Sequence, residues 1–513
     1  MSPVSRPAGA PAVPQRLGRR AVSLGVANAI DYALQFLVPV VLVRYLAPAD
    51  FGRYRLLWLV AGTVMAVVTQ AMAGSLYYFL PRSDEEGKRL YINQALLYLS
   101  ACGVIGALAV SGWNPWLPGN VRALTPNQAL LPAFVLFWVI ASLLDLIGSA
   151  EERVAWQTRT IIGLSALRAA LLLATAMLTR QLEPVLLALL GFAFFKFALL
   201  ITYVARHHGL RGPYLRRHAF ADQLRLSMPF GLAGALFGLR AQADQWVATA
   251  LFSVGKFAAF SIATLLGPLV NLCRQSVLQA FLPSISRLAA SGDFRGMLEL
   301  NGRGSVLVAT LVYPLLAFAF AFSKEIVTII YTSAYLDAAP VMRIYILGLA
   351  ALVIEPATLM ALLRQGPFAI RLGVLALVLS VAISYACGRA GGLAGAAVGS
   401  VTAIYLEHLC TLWRISHCTR IPWRHLQDWR SLGLLLLCAV LAGFVAWTVV
   451  DYALAGFGPD VRVVAGGVLL AGAYLALCAL CGLLREWRNA LEGLWRRGPR
   501  AQEAQAVGGE APR

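Results

Sequence analysis

The stretch "LLALLGFAFFKFALLITYVARHHGLRGPYLRRHAF", Leu186 to Phe220, joins an apolar run to a strongly basic loop. Its first part belongs to a run over 185–205, interrupted only by Lys196, with about the 20 apolar residues that a helix needs to cross a hydrocarbon core. The second part carries Arg206, His207, His208, Arg211, Arg216 and Arg217, and short loops rich in Lys and Arg stay on the cytoplasmic side of a membrane. The stretch therefore reads as a spanning helix that ends inside.

Outward from it the same alternation recurs. Apolar runs fall near 22–43, 56–79, 91–111, 129–150, 161–179, 185–205, 224–250, 257–281, 305–323, 340–362, 372–389, 392–413, 432–450 and 462–484, which predicts about fourteen transmembrane helices. About 29 Lys and Arg lie in the tails and in loops 80–90, 151–160, 206–225, 283–304, 363–371 and 414–431, against about 10 on the other side, so both termini are expected in the cytoplasm. The Pro/Ala-rich N-terminal tail has no small-residue cleavage site before the first run and reads as retained.

Composition supports an all-α polytopic membrane protein. Of 513 residues, 59% are hydrophobic and 13% charged, with a mean hydropathy of +0.71, whereas a soluble domain carries about a quarter charged residues. The net charge of +19 does not mark a nucleic-acid partner, because the excess lies in short loops and forms no basic face on a soluble domain. The cysteines have no framework spacing, and Cys478-x-x-Cys481 lies in an apolar run without a second ligand pair. No cofactor and no metal is expected.

The basic loop divides the chain. The expected organisation is a cytoplasmic tail at 1–21, a six-helix lobe at 22–205, a basic linker at 206–223, a second six-helix lobe at 224–414, a loop at 415–431, two further helices at 432–484 and a cytoplasmic tail at 485–513. "FGRY" at 51–54 followed by "FLPRS" at 79–83 is echoed by "GKF" at 255–257 and "FLPSI" at 281–285, as parallel repeats about an axis along the membrane normal would give. The longest outside loop, Ser111 to Gln128, contains no acid, and the phosphate-cradling loop of an ATP-driven pump is missing. An enzyme is not expected.

Charged residues inside spans are costly and usually face a wet cavity, a partner or a substrate. Here they are Asp31, Asp145, Arg168, Lys196, Arg240, Asp244, Arg274, Glu355 and Glu407. Asp145 and Glu407 lie near inside ends, where they can snorkel. Arg240 and Asp244, spaced i and i+4, share a helix face and read either as a neutralising pair or as part of a site. Arg168, Lys196 and Arg274 have no acid at i±3 or i±4, which predicts unpaired cations around an anion-attracting cavity. Asp31, followed by Gln35 and Pro39, and Glu355, followed by Pro356, are candidate sites for a coupling cation or proton. The histidines at 207, 208, 218, 417 and 425 fall in inside loops and are expected to be solvated.

"YLAPADFGRY", Tyr45 to Tyr54, resembles the Leu-Gly-Pro-Glu-Asp/Glu-Phe-Gly-x-Tyr loop of polysaccharide and O-antigen flippases, the Wzx-like branch of the multidrug/oligosaccharidyl-lipid/polysaccharide (MOP) exporter superfamily. Further similar segments are "LRLSMPF", Arg240 with Asp244, the Gly255 turn, "FLPSISRLAASGD", "SKEIVTIIYTSAYLDAAPVMRI" and "GGLAGAAVGSVTA", spread over about 17–415. Ala47 and Ala49 depart from the pattern, and Thr332 stands where the family usually has Gly. The resemblance implies two six-helix lobes around a central cavity that opens alternately to either side of the bacterial inner membrane. The cargo would be a polyprenyl-diphosphate-linked oligosaccharide, with Arg168, Lys196, Arg240 and Arg274 meeting its diphosphate. Asp31, Asp244 and Glu355 would serve Na+ or H+ coupling. Membrane lipids and polysaccharide polymerase machinery are the expected partners. A lipid II flippase and a cation-coupled multidrug exporter of the same superfamily remain alternatives.

Overall fold

The computed structural model describes residues 13–483 except 116, 123, 125–128, 210 and 211. Most of the N-terminal tail at 1–21, and all of the C-terminal tail at 485–513, lie outside the described residues. Within them there is no strand, as expected where backbone polar groups cannot turn to water.

The long helices are α1 (Val13–Tyr45), α2 (Pro48–Met72), α3 (Glu85–Ala109), α4 (Leu130–Ala150), α5 (Val154–Thr179), α6 (Leu182–His207), α7 (Arg217–Leu251), α8 (Val254–Ala290), α9 (Phe294–Ala321), α10 (Ala338–Leu362), α11 (Gly366–Thr419), α12 (Trp429–Ala453) and α13 (Pro459–Leu480). Length and apolarity mark twelve of the thirteen as able to span a membrane; α7, the one carrying Arg240 and Asp244, is not among them. The 54-residue α11 is two helices, because Gly392 (φ 66°, ψ −150°) interrupts it with a backbone conformation nearly confined to glycine. With α11 counted twice, each of the fourteen apolar runs becomes a helix.

Local chemistry sets the ends. Asp84, Asp293 and Asp428 accept backbone N–H groups of Gly87, Gly296 and Ser431 at 2.9, 2.9 and 3.1 Å, capping α3, α9 and α12. Pro48 and Pro459 open α2 and α13, where the missing N–H costs nothing. Pro356 restarts α10 after a break at Glu355.

The chain forms two compact units. The first comprises Met1–Leu265, Ile330–Val341 and Ile370–Ala403. In it α1 lies along α5, and α2 along α7. The α2–α7 seam is close because Gly62 and Gly238 present no side chain: a Cβ on Gly62 would come within 3.3 Å of the Gln242 amide. Thr63 donates to Gln242 Oε1 at 2.7 Å and accepts from Trp246 Nε1 at 2.8 Å, so polar groups also cross this seam.

Thr332 belongs to this unit and has φ 81°, ψ 162°. A β-branched residue rarely adopts positive φ, which accounts physically for a glycine preference at this turn. Packing holds it there: Tyr335, 2% exposed, sets its ring edge-on to Phe51 at 5.9 Å and pulls the turn tight. Thr332→Gly is expected to stabilise the fold by about 1 kcal/mol, the relieved strain exceeding the added unfolded-state freedom. Thermal unfolding in detergent checks this, and an unchanged or lower midpoint would contradict it.

The second unit comprises Leu266–Ile329, Met342–Ala369 and Ile404–Arg513. Its core includes Ile285, Met297, Leu298, Leu359, Leu412 and Ile415. Here α9 packs against α12 and α13. Gly466 gives room to the Phe322 ring, and Tyr474 donates to the Thr310 carbonyl at 3.2 Å. The outward faces of α12 and α13 are apolar: Phe444 is 62% exposed and Val468 70%. Asp451, Asp460 and Arg462 lie at the turn between them, where Arg462 meets Asp451 at 2.8 Å.

Candidate functional site

In the first unit, α1, α2 and α5 enclose a cavity of about 220 Å³ lined by Gln35, Tyr54, Arg55, Trp58, Ser165 and Arg168 among others. Its polar wall is tightly ordered. Asp31 Oδ1 accepts from Ser165 Oγ at 2.5 Å and from Arg168 Nη2 at 3.2 Å, while Gln35 Nε2 donates to Asp31 Oδ2 at 2.6 Å. The Arg168 guanidinium also lies 6.0 Å from the Trp58 ring centre, and its side chain is 14% exposed. From α2, Arg55 donates Nε to Ser261 Oγ at 3.1 Å and Nη2 to the Ser261 carbonyl at 3.3 Å. Two guanidiniums thus line one cavity, next to one carboxylate.

Arg55 was not among the sequence candidates. It follows directly on the "FGRY" segment, near the end of an apolar run, and reads there as a loop cation. Helix α2 begins at Pro48, which places Arg55 two turns inside the helix; the Pro at the first turn was the available signal.

The expectation of unpaired cations fails at three positions. Arg168 pairs with Asp31 from α1, Lys196 with Asp145 from α4 at 2.7 Å, and Arg274 with Glu355 from α10. Asp145 does not simply snorkel: its carboxylate meets a Lys196 ammonium that is 7% exposed and lies 5.0 Å from the Trp138 ring. Spacing along one helix cannot reveal partners on another, and the partners all come from other helices.

The candidates divide between the two units. Asp31, Arg168, Lys196, Arg240 and Asp244 belong to the first, and Arg274 and Glu355 to the second. On α7, Arg240 lies 5.5 Å from the Phe237 ring centre, and the buried Asp244 accepts the Gln245 N–H at 2.7 Å. Arg274 and Glu355 border a space of about 20 Å³ beside Asn301 and Ser305, room for one water.

His208 contradicts the expectation of a solvated loop histidine. It is buried, and its Nε2 lies 2.5 Å from Glu151 Oε1, while Tyr203 donates to Glu151 Oε2 and Arg153 Nε lies 3.5 Å away. Burial would raise the Glu151 carboxyl, but the hydrogen bonds from His208 and Tyr203 and the charges of His208 and Arg153 outweigh it and hold it below its ordinary value. The cluster fastens the α4–α5 turn to the end of α6. No group of His, Cys, Asp and Glu suited to a metal occurs among the described residues.

The fold is similar to that of the lipid II flippase MurJ in an inward closed conformation, at 14% identity and a TM-score of 0.66, covering 91% of this chain and 99% of that one. An inward-facing multidrug resistance MATE family transporter of the MOP superfamily matches at 14% identity and 0.54, covering 77% and 99%. The Vibrio cholerae MATE transporter VcmN matches at 11% and 0.54, covering 80% and 98%. No curated protein matches the chain in sequence. The family model described as "Polysaccharide biosynthesis protein" matches residues 17–289, a stretch that holds every candidate site residue except Glu355. Matched over more than half its length, the chain belongs to the polysaccharide biosynthesis protein family, and its fold is similar to that of the MOP-superfamily transporters above.

Proposed function

We propose that this protein flips a polyprenyl-diphosphate-linked oligosaccharide across the bacterial inner membrane by alternating access, for cell-surface polysaccharide synthesis. One observation supports it most directly: the cavity bordered by α1, α2 and α5 sets Arg55 and Arg168 against the single carboxylate of Asp31. Guanidinium forks match the paired oxygens of a diphosphate, and an exporter of organic cations would need the opposite excess. At about 220 Å³ the cavity is smaller than the roughly 300–1,000 Å³ typical of drug-sized ligand sites. It would take a compact headgroup, and the glycan and lipid would extend outside it.

In this reading the diphosphate competes with Asp31 for Arg168, and a proton or Na+ takes the guanidinium's place on the carboxylate. Asp244 and Glu355 are the other coupling candidates. Arg240, on a helix too polar to pass for an ordinary span, and Lys196 and Arg274 would extend the cationic surface in other conformations. Both termini would be cytoplasmic, with polymerase machinery acting on the delivered glycan. Lipid II carries the same diphosphate, so strain background separates the two cargoes: this reading expects rescue of an O-antigen flippase deletion and none of a lipid II flippase depletion.

A double substitution tests the role of α7. Arg240→Leu with Asp244→Leu is expected to abolish glycan export at normal protein levels, because a contact to cargo is lost that no internal compensation restores. Arg240→Lys should recover only part, a point charge lacking the fork. Wild-type export by the double variant would return both residues to a structural role.

A further inference from the structure

In the second unit, the first turns of α9 and the loop between α11 and α12 enclose a pocket of about 290 Å³ that no part of the transport reading uses. Its rim carries Arg295, Arg303, Arg424 and His425, all exposed, with Glu299 and Asp428 beside them. Both acids have partners: Glu299 pairs with the rim's own Arg295 at 3.4 Å, and Asp428 accepts the Ser431 N–H as the cap of α12. Arg303 and Arg424 have no ion-pair partner among the described residues.

The wall is Gln427. The residue is 5% exposed, yet neither its amide nitrogen nor its amide oxygen has a hydrogen-bond partner among the described residues. Leaving both ends of a buried amide empty is unfavourable, so the pocket is built for something that brings an acceptor and a donor. Gly302 lies beside it: a Cβ there would come into ordinary contact with Gln427 Oε1, at 3.7 Å.

Location supplies the rest. The pocket is at the ends of α9 and α12 that carry basic loops, the side that loop charge assigns to the cytoplasm. Trp423 and Trp429 stack beside it, ring centres 6.2 Å apart and 3° from parallel, and Trp429 Nε1 donates to the Trp423 carbonyl at 3.0 Å. Trp is enriched at headgroup depth on both sides of a membrane. Basic pockets between membrane helices on that side suit anionic lipid headgroups.

We propose that this pocket is a phosphate-group site, filled from the bilayer by the headgroup of an acidic phospholipid. The phosphate oxygens meet Arg303 and Arg424, and a headgroup hydroxyl donates to Gln427 Oε1 while Gln427 Nε2 donates to an oxygen. A glycerol headgroup offers such a hydroxyl, and a choline headgroup offers none. An occupied pocket ties the start of α12 to α9 across the α11–α12 loop. The inference is independent of the cargo.

The test uses the full-length protein in detergent, titrated with phosphatidylglycerol or phosphatidylcholine and read by native mass spectrometry. The tightest phosphatidylglycerol adduct of the wild type is expected to weaken at least tenfold in Arg303→Gln with Arg424→Gln, with phosphatidylcholine adducts unchanged. Gln427→Leu, which keeps every rim charge, should weaken it severalfold, and covers the case in which the double variant misfolds. Equal phosphatidylglycerol affinity in wild type and variants would overturn the proposal. Inorganic phosphate is the second arm: phosphate that displaces the lipid adduct only in wild type confirms the shared chemistry, whereas phosphate binding with no phosphatidylglycerol adduct would overturn the bilayer source.

Discussion

Arg55→Leu is expected to lower glycan export about 100-fold while the protein inserts and folds normally. Among the described residues the side chain's hydrogen bonds run to the Ser261 hydroxyl and carbonyl, neither of them charged, so its removal strands no charge there. What is lost is a guanidinium facing a cavity, and removing one partner of a buried charged contact costs about 2–5 kcal/mol. Arg168→Leu should lower export as far, but it leaves Asp31 without its cation, so its effect mixes folding with transport. Arg168→Leu with Asp31→Asn removes that confusion: the carboxamide can still accept from Ser165, and any remaining loss belongs to transport. Surface glycan per molecule of inserted protein, in a strain lacking its own flippase, is the measurement. Wild-type export by Arg55→Leu would rule out this cavity as the diphosphate site.

The second large effect is on stability. Arg274 and Glu355 are both largely buried, with side-chain exposures of 18% and 12%, and the adjoining space of about 20 Å³ admits a water but no headgroup. Glu355→Leu should therefore destabilise the protein by about 3–5 kcal/mol, because the Arg274 charge stays buried without its carboxylate. Arg274→Leu with Glu355→Leu is expected to recover most of that loss, since desolvating an ion pair offsets much of its attraction. Thermal unfolding of the three forms in one detergent reads the coupling. If the double variant is as unstable as Glu355→Leu, the pair is not the source of the cost. Export by the double variant separately shows whether Arg274 also meets cargo.

Much of this protein is legible in one dimension. Spanning is a matter of length and apolarity, so runs such as 185–205 become helices at the residues counted. Local stops are equally visible: Asp84, Asp293 and Asp428 cap where short polar side chains precede a periodic run, and Pro356 breaks α10. The unease about Thr332 was legible too, as a departure from a family glycine, and the backbone supplies its cause in a φ of 81°. Asp31, Arg168, Arg240 and Asp244 stood out because a bilayer makes charge costly wherever it occurs.

Partnership between helices was not legible. Whether Arg168 meets Asp31, or Lys196 meets Asp145, depends on the rotation and register of helices up to 137 residues apart in the chain, and many packings satisfy the same apolar pattern. Arg55 and His208 show the same gap from opposite sides, each reading as a loop residue until neighbouring helices close around it. The sequence by itself determined a polytopic helical protein, its spans, the sense of its loop charge and the family to which it belongs, because hydrophobic length and positive loops act locally. Only the tertiary structure decided which charges neutralise one another, which two arginines share a cavity and which amide, Gln427, is buried with its hydrogen bonds unmade, because those depend on side chains distant in sequence meeting in a medium of low dielectric.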